Sequence, residues 1–250
     1  MSSSLFHTLN ISRQDMLTRL ADLDVISNNI ANVNTSGFKS SRSNFQELLD
    51  SVSAQREGIY TPSTQLNTNQ GALKATQNPF DWAIEGEGFF PVRLPNGTVA
   101  YTRDGQFNLD ANRTVVTSSG YPLVWSGQTI PADAVNISLN RDGTVEALLA
   151  DGTKSVVGNV QLAKFANPTG LISAGRNTWI ASLASGQAQL GTPGTNNLGT
   201  TGGYLVEQSN VSLSREMTNL ITDQRAFELS TKAFQQTDTM ITQAINLRKI

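Results

Sequence analysis

From Leu5 to Val33 apolar residues recur in alternating steps of three and four: Phe6, Leu9, Met16, Leu20, Leu23 and Ile30. Polar Arg13 and Ser27 fill two of the slots. That spacing is the seam of an amphipathic helix, and neither Gly nor Pro interrupts it. The element it predicts is about 43 Å long at 1.5 Å per residue. A second seam closes the chain through Leu213, Met217, Leu220, Phe227, Phe234, Ile241 and Ile245, with Gln224, Thr231 and Asp238 between them. Gly and Pro are again absent from Ser209 to Ile250. The predicted helix is about 54 Å long, with Ser209, Asn210 or Ser212 as its cap.

Between the seams the period changes from helical to β. GFFPVRLPNGTVAYTRDGQFNLDANRTVVTSSGYPLV breaks short β-rich runs at Asn96-Gly97, Asp104-Gly105 and Asp110-Ala111-Asn112. The first two are dipeptides that favour primed hairpin turns. Asp142-Gly143 and Asp151-Gly152 punctuate the next segment in the same way, at the spacing of a meander or small barrel. Two stretches, 53–79 and 184–203, are rich in Gly, Pro, Asn and Thr and read as linkers. The expected layout is a helical segment at 1–38, an extended linker at 39–80, a β-domain at 81–185, a linker at 186–208 and a helical segment at 209–250. The fold class is α+β: long N- and C-terminal helices packed as a coiled-coil-like pair, with a central, mainly antiparallel β-domain.

The seams pose a problem of surface. Two helices in one pair bury one stripe each, yet Leu5, Leu17, Val25, Ile26, Ile221 and Leu229 lie off it. Leaving a large apolar side chain wet forgoes roughly 1.5–3 kcal/mol, which further helices from sister copies would recover. At the end of the first helix stands NNIANVNTSGFK, with four asparagines in seven residues. Asn34-Thr35-Ser36-Gly37 can close the last turn, since Asn and Gly adopt the left-handed conformation. Asn28 and Asn32 share a helix face. Their amides either stay solvated beside a plain cap or are buried to fix the register of packed helices.

Composition narrows the function. Of 250 residues only 15% are charged, against about 25% in an average protein, and the net charge is −2. The basic footprint of a nucleic-acid binder is missing. A weakly charged surface repels its own copies little. There is no cysteine, which removes disulfides, thiol nucleophiles and Cys-based metal sites. MSSSLFHTLNISRQD lacks the pattern of a secretory signal, and no apolar run is long enough for a membrane span. The single histidine, His7, has no arguable Ser or Asp partners. Asp104, Asp110, Asp142 and Asp151 sit in turn sequences, where Asp is expected for backbone reasons. Gly86 and Gly88 in EGEGFF precede no helix pattern, so a dinucleotide loop is excluded and Phe89 and Phe90 read as strand core. Arg103, Arg141 and Lys154 read as solvated positions. No catalytic residue, cofactor site or metal site is expected. A monomeric β-domain binding module with helical arms shares the layout and differs in needing no sister copies.

Three stretches also carry a family likeness. DVISNNIANVNTSGFKSSRSNFQELL (24–49) closely resembles the N-terminal signature of bacterial flagellar axial proteins, the rod and hook subunits. DWAIEGEGFFPVRLPNGTVAYTRDGQFNLDANRTVVTSSGYPL (81–123) is similar to the start of their β-domain. SNVSLSREMTNLITDQRAFELSTKAFQQTDTMITQAINLR (209–248) is similar to their C-terminal helix. The signature positions are Asn28, Asn29, Asn32, Asn34, Thr35, Gly37, Phe38, Ser209, Asn210 and Val211. The resemblance implies a non-enzymatic structural subunit, exported by the flagellar type III apparatus without a cleaved signal. It would assemble as a helical homopolymer with other rod and hook proteins and the basal-body rings, in the periplasm-spanning rod. The residues expected to pack its helices are Leu9, Met16, Leu20, Leu23, Ile30, Leu213, Met217, Leu220, Phe227, Phe234 and Ile241. The chain has little room for the outer domains of hook proteins, which favours a distal-type rod subunit. Its first linker is short for that type and its NLRKI ending resembles hook-type termini, so proximal rod and short hook subunits are the alternatives.

Overall fold

A computed structural model describes residues 2–44, 63–127 and 129–247. Helix α1 spans Ser2–Ala31 and helix α2 spans Leu213–Leu247. Short strands lie between them: β1 (Ser41–Asn44), β2 (Ser63–Leu66), β3 (Leu73–Ala75), β4 (Trp82–Glu85), β5 (Phe90–Arg93), β6 (Val99–Thr102), β7 (Phe107–Leu109) and β8 (Val115–Thr117). A run of longer strands follows, β9 (Ala134–Leu139), β10 (Thr144–Leu149) and β11 (Lys154–Asn159). The series ends with β12 (Leu162–Lys164), β13 (Ile172–Gly175), β14 (Thr178–Ile180), β15 (Gln189–Gly191), β16 (Thr200–Gly203) and β17 (Leu205–Glu207). The class is α+β, with antiparallel pairing throughout the central strands.

The chain divides into two compact units. The helical unit takes residues 1–31, 41–65 and 212–250, of which the described parts are α1, α2 and the ladder of β1 with β2. The β-unit takes residues 32–40 and 66–211. Stretches that composition marks as linkers hold strands: β2 and β3 in 53–79, and β15 and β16 in 184–203. Gly and Thr there serve close strand packing, which composition alone cannot separate from a loop.

In the β-unit, β9–β10–β11 form a meander and β13–β14–β6–β5 a four-stranded sheet, joined by two-stranded pairs. The alternation in β10 is the cause of its packing: Val145 and Ala147 point inward, while Glu146 and Leu148 do not. A main core gathers Trp82, Ile84, Phe90, Val92, Phe107, Val115, Val145, Val160 and Leu162. The Phe107 ring stands 5.2 Å from Trp82 and 5.3 Å from Phe90, the second contact edge-on. A smaller core joins Leu66, Phe89, Tyr101, Phe165, Leu171 and Trp179. Phe90 is strand core as expected, and Phe89 is buried at a lone bridge to Ala163 just before β5.

The turns correct the sequence reading. At Asn96-Gly97 only Gly97 has positive φ, and Leu94 N bonds Thr98 O at 2.9 Å, so the loop has three residues and no primed turn. Asp104-Gly105 makes no hairpin. Gly105 is required there because a Cβ would lie 1.5 Å from the Trp82 carbonyl oxygen. Tight turns with positive φ at both central residues fall instead at Arg176-Asn177, between β13 and β14, and at Asn196-Asn197. Neither turn has Gly at a central position, so the Asn-Gly and Asp-Gly signal does not find them.

Candidate functional site: a polar clasp and two helix faces

The asparagine-rich signature splits between the two units, and each part has its own work. In the helical unit Asn29, 2% exposed, turns its amide to the backbone of Ser41. Its Nδ2 donates to Ser41 O at 2.8 Å and its Oδ1 accepts from Ser41 N at 3.0 Å. The side chain thus stands in for a strand neighbour and satisfies both backbone groups. In the β-unit Asn32 opens a tight turn, accepting Thr35 N at its carbonyl and the Thr35 hydroxyl at its Oδ1, both at 3.1 Å. Asn28 and Asn34 are exposed and Phe38 is half-buried. α1 ends at Ala31, two residues before the expected stop, because the backbone from Asn32 enters this turn.

Gly37 follows with φ +65° and donates its N–H to the Glu207 carbonyl at 2.7 Å. A Cβ on Gly37 would lie 2.4 Å from the backbone of Arg103, so only glycine fits. Lys39 then turns inward. Its Nζ meets Glu207 Oε1 at 2.6 Å and Asn69 O at 2.7 Å. Glu207 Oε1 also accepts Gly71 N at 2.8 Å, and its Oε2 accepts Arg103 Nη1 at 3.2 Å. Arg103 Nη2 donates to Gly86 O at 2.7 Å, and the guanidinium stands 5.3 Å from the Phe89 ring centroid. The side chains of Lys39, Arg103 and Glu207 are 1%, 5% and 1% exposed. The sequence reading of Arg103 as a solvated position is therefore corrected.

One buried carboxylate thus serves two buried cations. Burial pushes the Lys39 ammonium below its ordinary range; Glu207 opposes the shift and the Arg103 charge adds to it. Burial lowers Arg103 as well, against the pull of Glu207.

Asn210 completes the clasp. Its Oδ1 accepts Ser40 N at 2.7 Å, and its Nδ2 donates to Asn67 O at 3.0 Å and Asn69 O at 2.9 Å. Its own N–H reaches Phe38 O at 3.3 Å. An Asn so committed cannot cap α2, which corrects the expectation that named it as a cap. Ser212 holds that place, its carbonyl accepting Glu216 N at 3.0 Å. Ser209 Oγ accepts Val211 N at 3.3 Å. Sequence reasoning missed Lys39, Arg103 and Glu207. The available signal was a charge set within an apolar strand, Leu205-Val206-Glu207, and a lysine directly after the signature.

In the helical unit α1 and α2 lie against each other through polar as well as apolar rows. Arg19 Nη1 bonds Asp223 Oδ1 at 3.2 Å, the Ser230 hydroxyl donates to the Asp15 carboxylate, and Thr231 Oγ1 lies 3.7 Å from Met16 Sδ. Burial raises the pKa of Asp22, with Ser43 acting against it. Met16, Leu23, Ile30, Leu220, Phe227, Phe234 and Ile241 are half-buried, whereas Leu20, Leu213 and Met217 are exposed. The backbone of Leu9 belongs to α1, and its side chain lies outside the described residues. Among the described side chains of α2, none is buried.

Among the described residues no cluster of His, Cys, Asp or Glu could hold a metal ion, and no helix is long and apolar enough to cross a membrane. The clasp carboxylate is held by backbone and cationic donors, an arrangement that ties chain segments together. Three family descriptions match in chain order. Residues 13–39 match "Flagella basal body rod protein", 83–147 "Flagellar hook protein FlgE/F/G D1 domain" and 201–247 "Flagellar basal body rod FlgEFG protein C-terminal". The flagellar basal-body rod protein FlgG of Caulobacter vibrioides is 38% identical over 260 residues, covering 96% of this chain and 98% of the relative. FlgG of Buchnera aphidicola subsp. Schizaphis graminum is 37% identical over 252 residues, with 94% and 96% covered. FlgG of Bacillus subtilis is 36% identical over 247 residues, with 91% and 93% covered. The chain belongs to the flagellar basal-body rod protein family, and is of the distal rod type. Like that family it is structural and not an enzyme.

Proposed function

We propose that this chain is a subunit of the distal rod that polymerises with copies of itself into a helical tube. α1 and α2 form a coiled-coil-like helical layer of that tube. The observation that carries this reading is apolar surface left open on the helices: Leu17, Leu20, Leu213, Met217, Ile221, Leu229 and Met240 are each at least 44% exposed. Covering what is still open of one such side chain stabilises by roughly 0.7–2 kcal/mol, and the lone chain forgoes that at each of these positions. The monomeric binding-module reading needs helices that cover each other, and this exposure weighs against it.

A second feature favours helices that order only on packing. Along α2 the hydroxyls of Thr218, Thr222, Ser230, Thr231, Thr237 and Thr242 each donate to the carbonyl four residues back. Such back-bonding slightly weakens a helix, so α2 depends on neighbours for its stability. Assembly then couples ordering to binding. The subunit travels through the flagellar type III apparatus with its ends open and sets only at the growing tip, in the periplasm-spanning basal body. The cysteine-free chain suits that compartment. Other rod and hook proteins meet the ends of the tube, the basal-body rings surround it, and its helices transmit torque to the hook.

The absence of cysteine makes the test clean. Leu17→Cys and Ile221→Cys are introduced together into a bacterium whose distal rod is built only of this chain. Oxidation of isolated basal bodies is expected to give a ladder of linked subunits beyond the dimer. Monomer alone, from basal bodies that still contain the protein, contradicts the proposal.

A further inference from the structure

Four groups from three separated stretches of the β-unit converge on Glu207. Gly37 N reaches its carbonyl, while Lys39 Nζ, Gly71 N and Arg103 Nη1 reach its carboxylate. Three residues on, Asn210 ties Ser40, Asn67 and Asn69 together. Among the described residues, β3 pairs only with β17 and β4 only with β16. All of these partners lie after residue 199, and synthesis delivers them after everything they hold.

Without residues 205–211, Lys39 and Arg103 would enter the same dry interior with no carboxylate between them. An unpaired buried charge is among the costliest defects a fold can carry. The β5–β6 hairpin is local and could close within microseconds by itself. Its last residue, Thr102, is followed at once by Arg103, which is 5% exposed in the native fold.

We propose that residues 205–211 are a lock on the β-unit, in which Glu207 and Asn210 are the positioning residues and the native fold is withheld until they arrive. A chain still being made would then keep its β-unit open and fit to be threaded. This use of the lock rests on the proposed delivery as an open chain; the lock itself does not. It is a property of one molecule and can be tested apart from export and assembly.

The test is pulse-labelling hydrogen exchange during refolding of the full-length chain. The amides of β9–β11, whose pairing is local, are expected to gain protection first. Those of β5 and β6 are expected to gain it together with β3 and β17, at least about tenfold later. In Glu207→Gln the later phase slows by about tenfold or more, or is lost, while β9–β11 are unchanged. Because that variant could fail to close at all, the chain with K39M, R103M and E207M together supplies the second arm. With no charge to wait for, its β5–β6 amides are expected to join the first phase. Early protection of β5–β6 in the natural chain overturns the proposal, and so does a late phase that persists unaltered in the triple variant.

Discussion

Replacing Glu207 by glutamine removes the buried negative charge from a cluster that holds two positive ones. Both cations stay almost fully buried, so the expected cost is that of breaking a buried ion pair by deleting one partner, about 3–5 kcal/mol. Replacing Lys39 by methionine perturbs the same cluster in the opposite sense, because it leaves one cation facing one carboxylate. Glu207 keeps Gly71 N at 2.8 Å and Arg103 at 3.2 Å, and Asn69 O keeps the Asn210 amide at 2.9 Å. No group is orphaned, and the methionine occupies the volume of the lysine stem. The expected cost is below about 1.5 kcal/mol. All three tryptophans, at 82, 125 and 179, lie in the β-unit, so their fluorescence reports its unfolding. In guanidinium the Glu207→Gln midpoint should fall by about 1 M and that of Lys39→Met by less than about half as much. The pH dependence has a definite sign. Burial depresses the folded-state pKa of Lys39 below 10.5, so between the two values the unfolded chain holds more protons there. Stability of the natural chain therefore rises with pH in that window, and Lys39→Met lacks the rise. A Lys39→Met loss equal to or larger than that of Glu207→Gln would refute the charge count on which the argument rests.

Other outcomes follow from the same geometry. Gly37→Ala sets a Cβ against the Arg103 backbone in a left-handed conformation, and should cost at least about 2 kcal/mol by the same fluorescence assay. Asn29→Ala leaves Ser41 N and O without their amide partner; a loss of about 2 kcal/mol should appear as faster amide exchange at residues 41–44. Burial raises the Asp104 pKa above 3.8, against the hydrogen bonds from Gln106 and Ser118. Asp104→Asn should thus be more stable than the natural chain at neutral pH, and the gap should close as pH falls through the raised value toward 3.8. Leu220→Asp should leave tryptophan fluorescence unchanged and abolish rod assembly, read by electron microscopy of basal bodies.

What the sequence disclosed and what it hid divide along physical lines. The helices were legible because a period of three and four persists through Met16, Leu20, Leu23 and Ile30, and through Leu220, Phe227, Phe234 and Ile241. The meander from Ala134 to Asn159 was legible because its turns carry Asp-Gly. The clasp was hidden because its members stand far apart: Lys39 and Glu207 are 168 positions from each other, and charge pairing at that range leaves no local pattern. Asn210 looked like a helix cap since caps and clasps call for the same side chain. The strand at 200–203 looked like a linker because its Gly and Thr were read for their flexibility. In the fold those residues supply small size, as where a Cβ on Gly202 would lie 2.9 Å from Leu205.

The account depends most on open helix surface that other copies must cover. Hydrogen exchange of α1 and α2 in the isolated chain and in purified rods tests it directly. Amides along Leu213–Leu247 should exchange at least about a hundredfold faster in the isolated chain than in the rod, while those of β10 should be alike in both. Helices already as protected in the isolated chain as in the rod would contradict it.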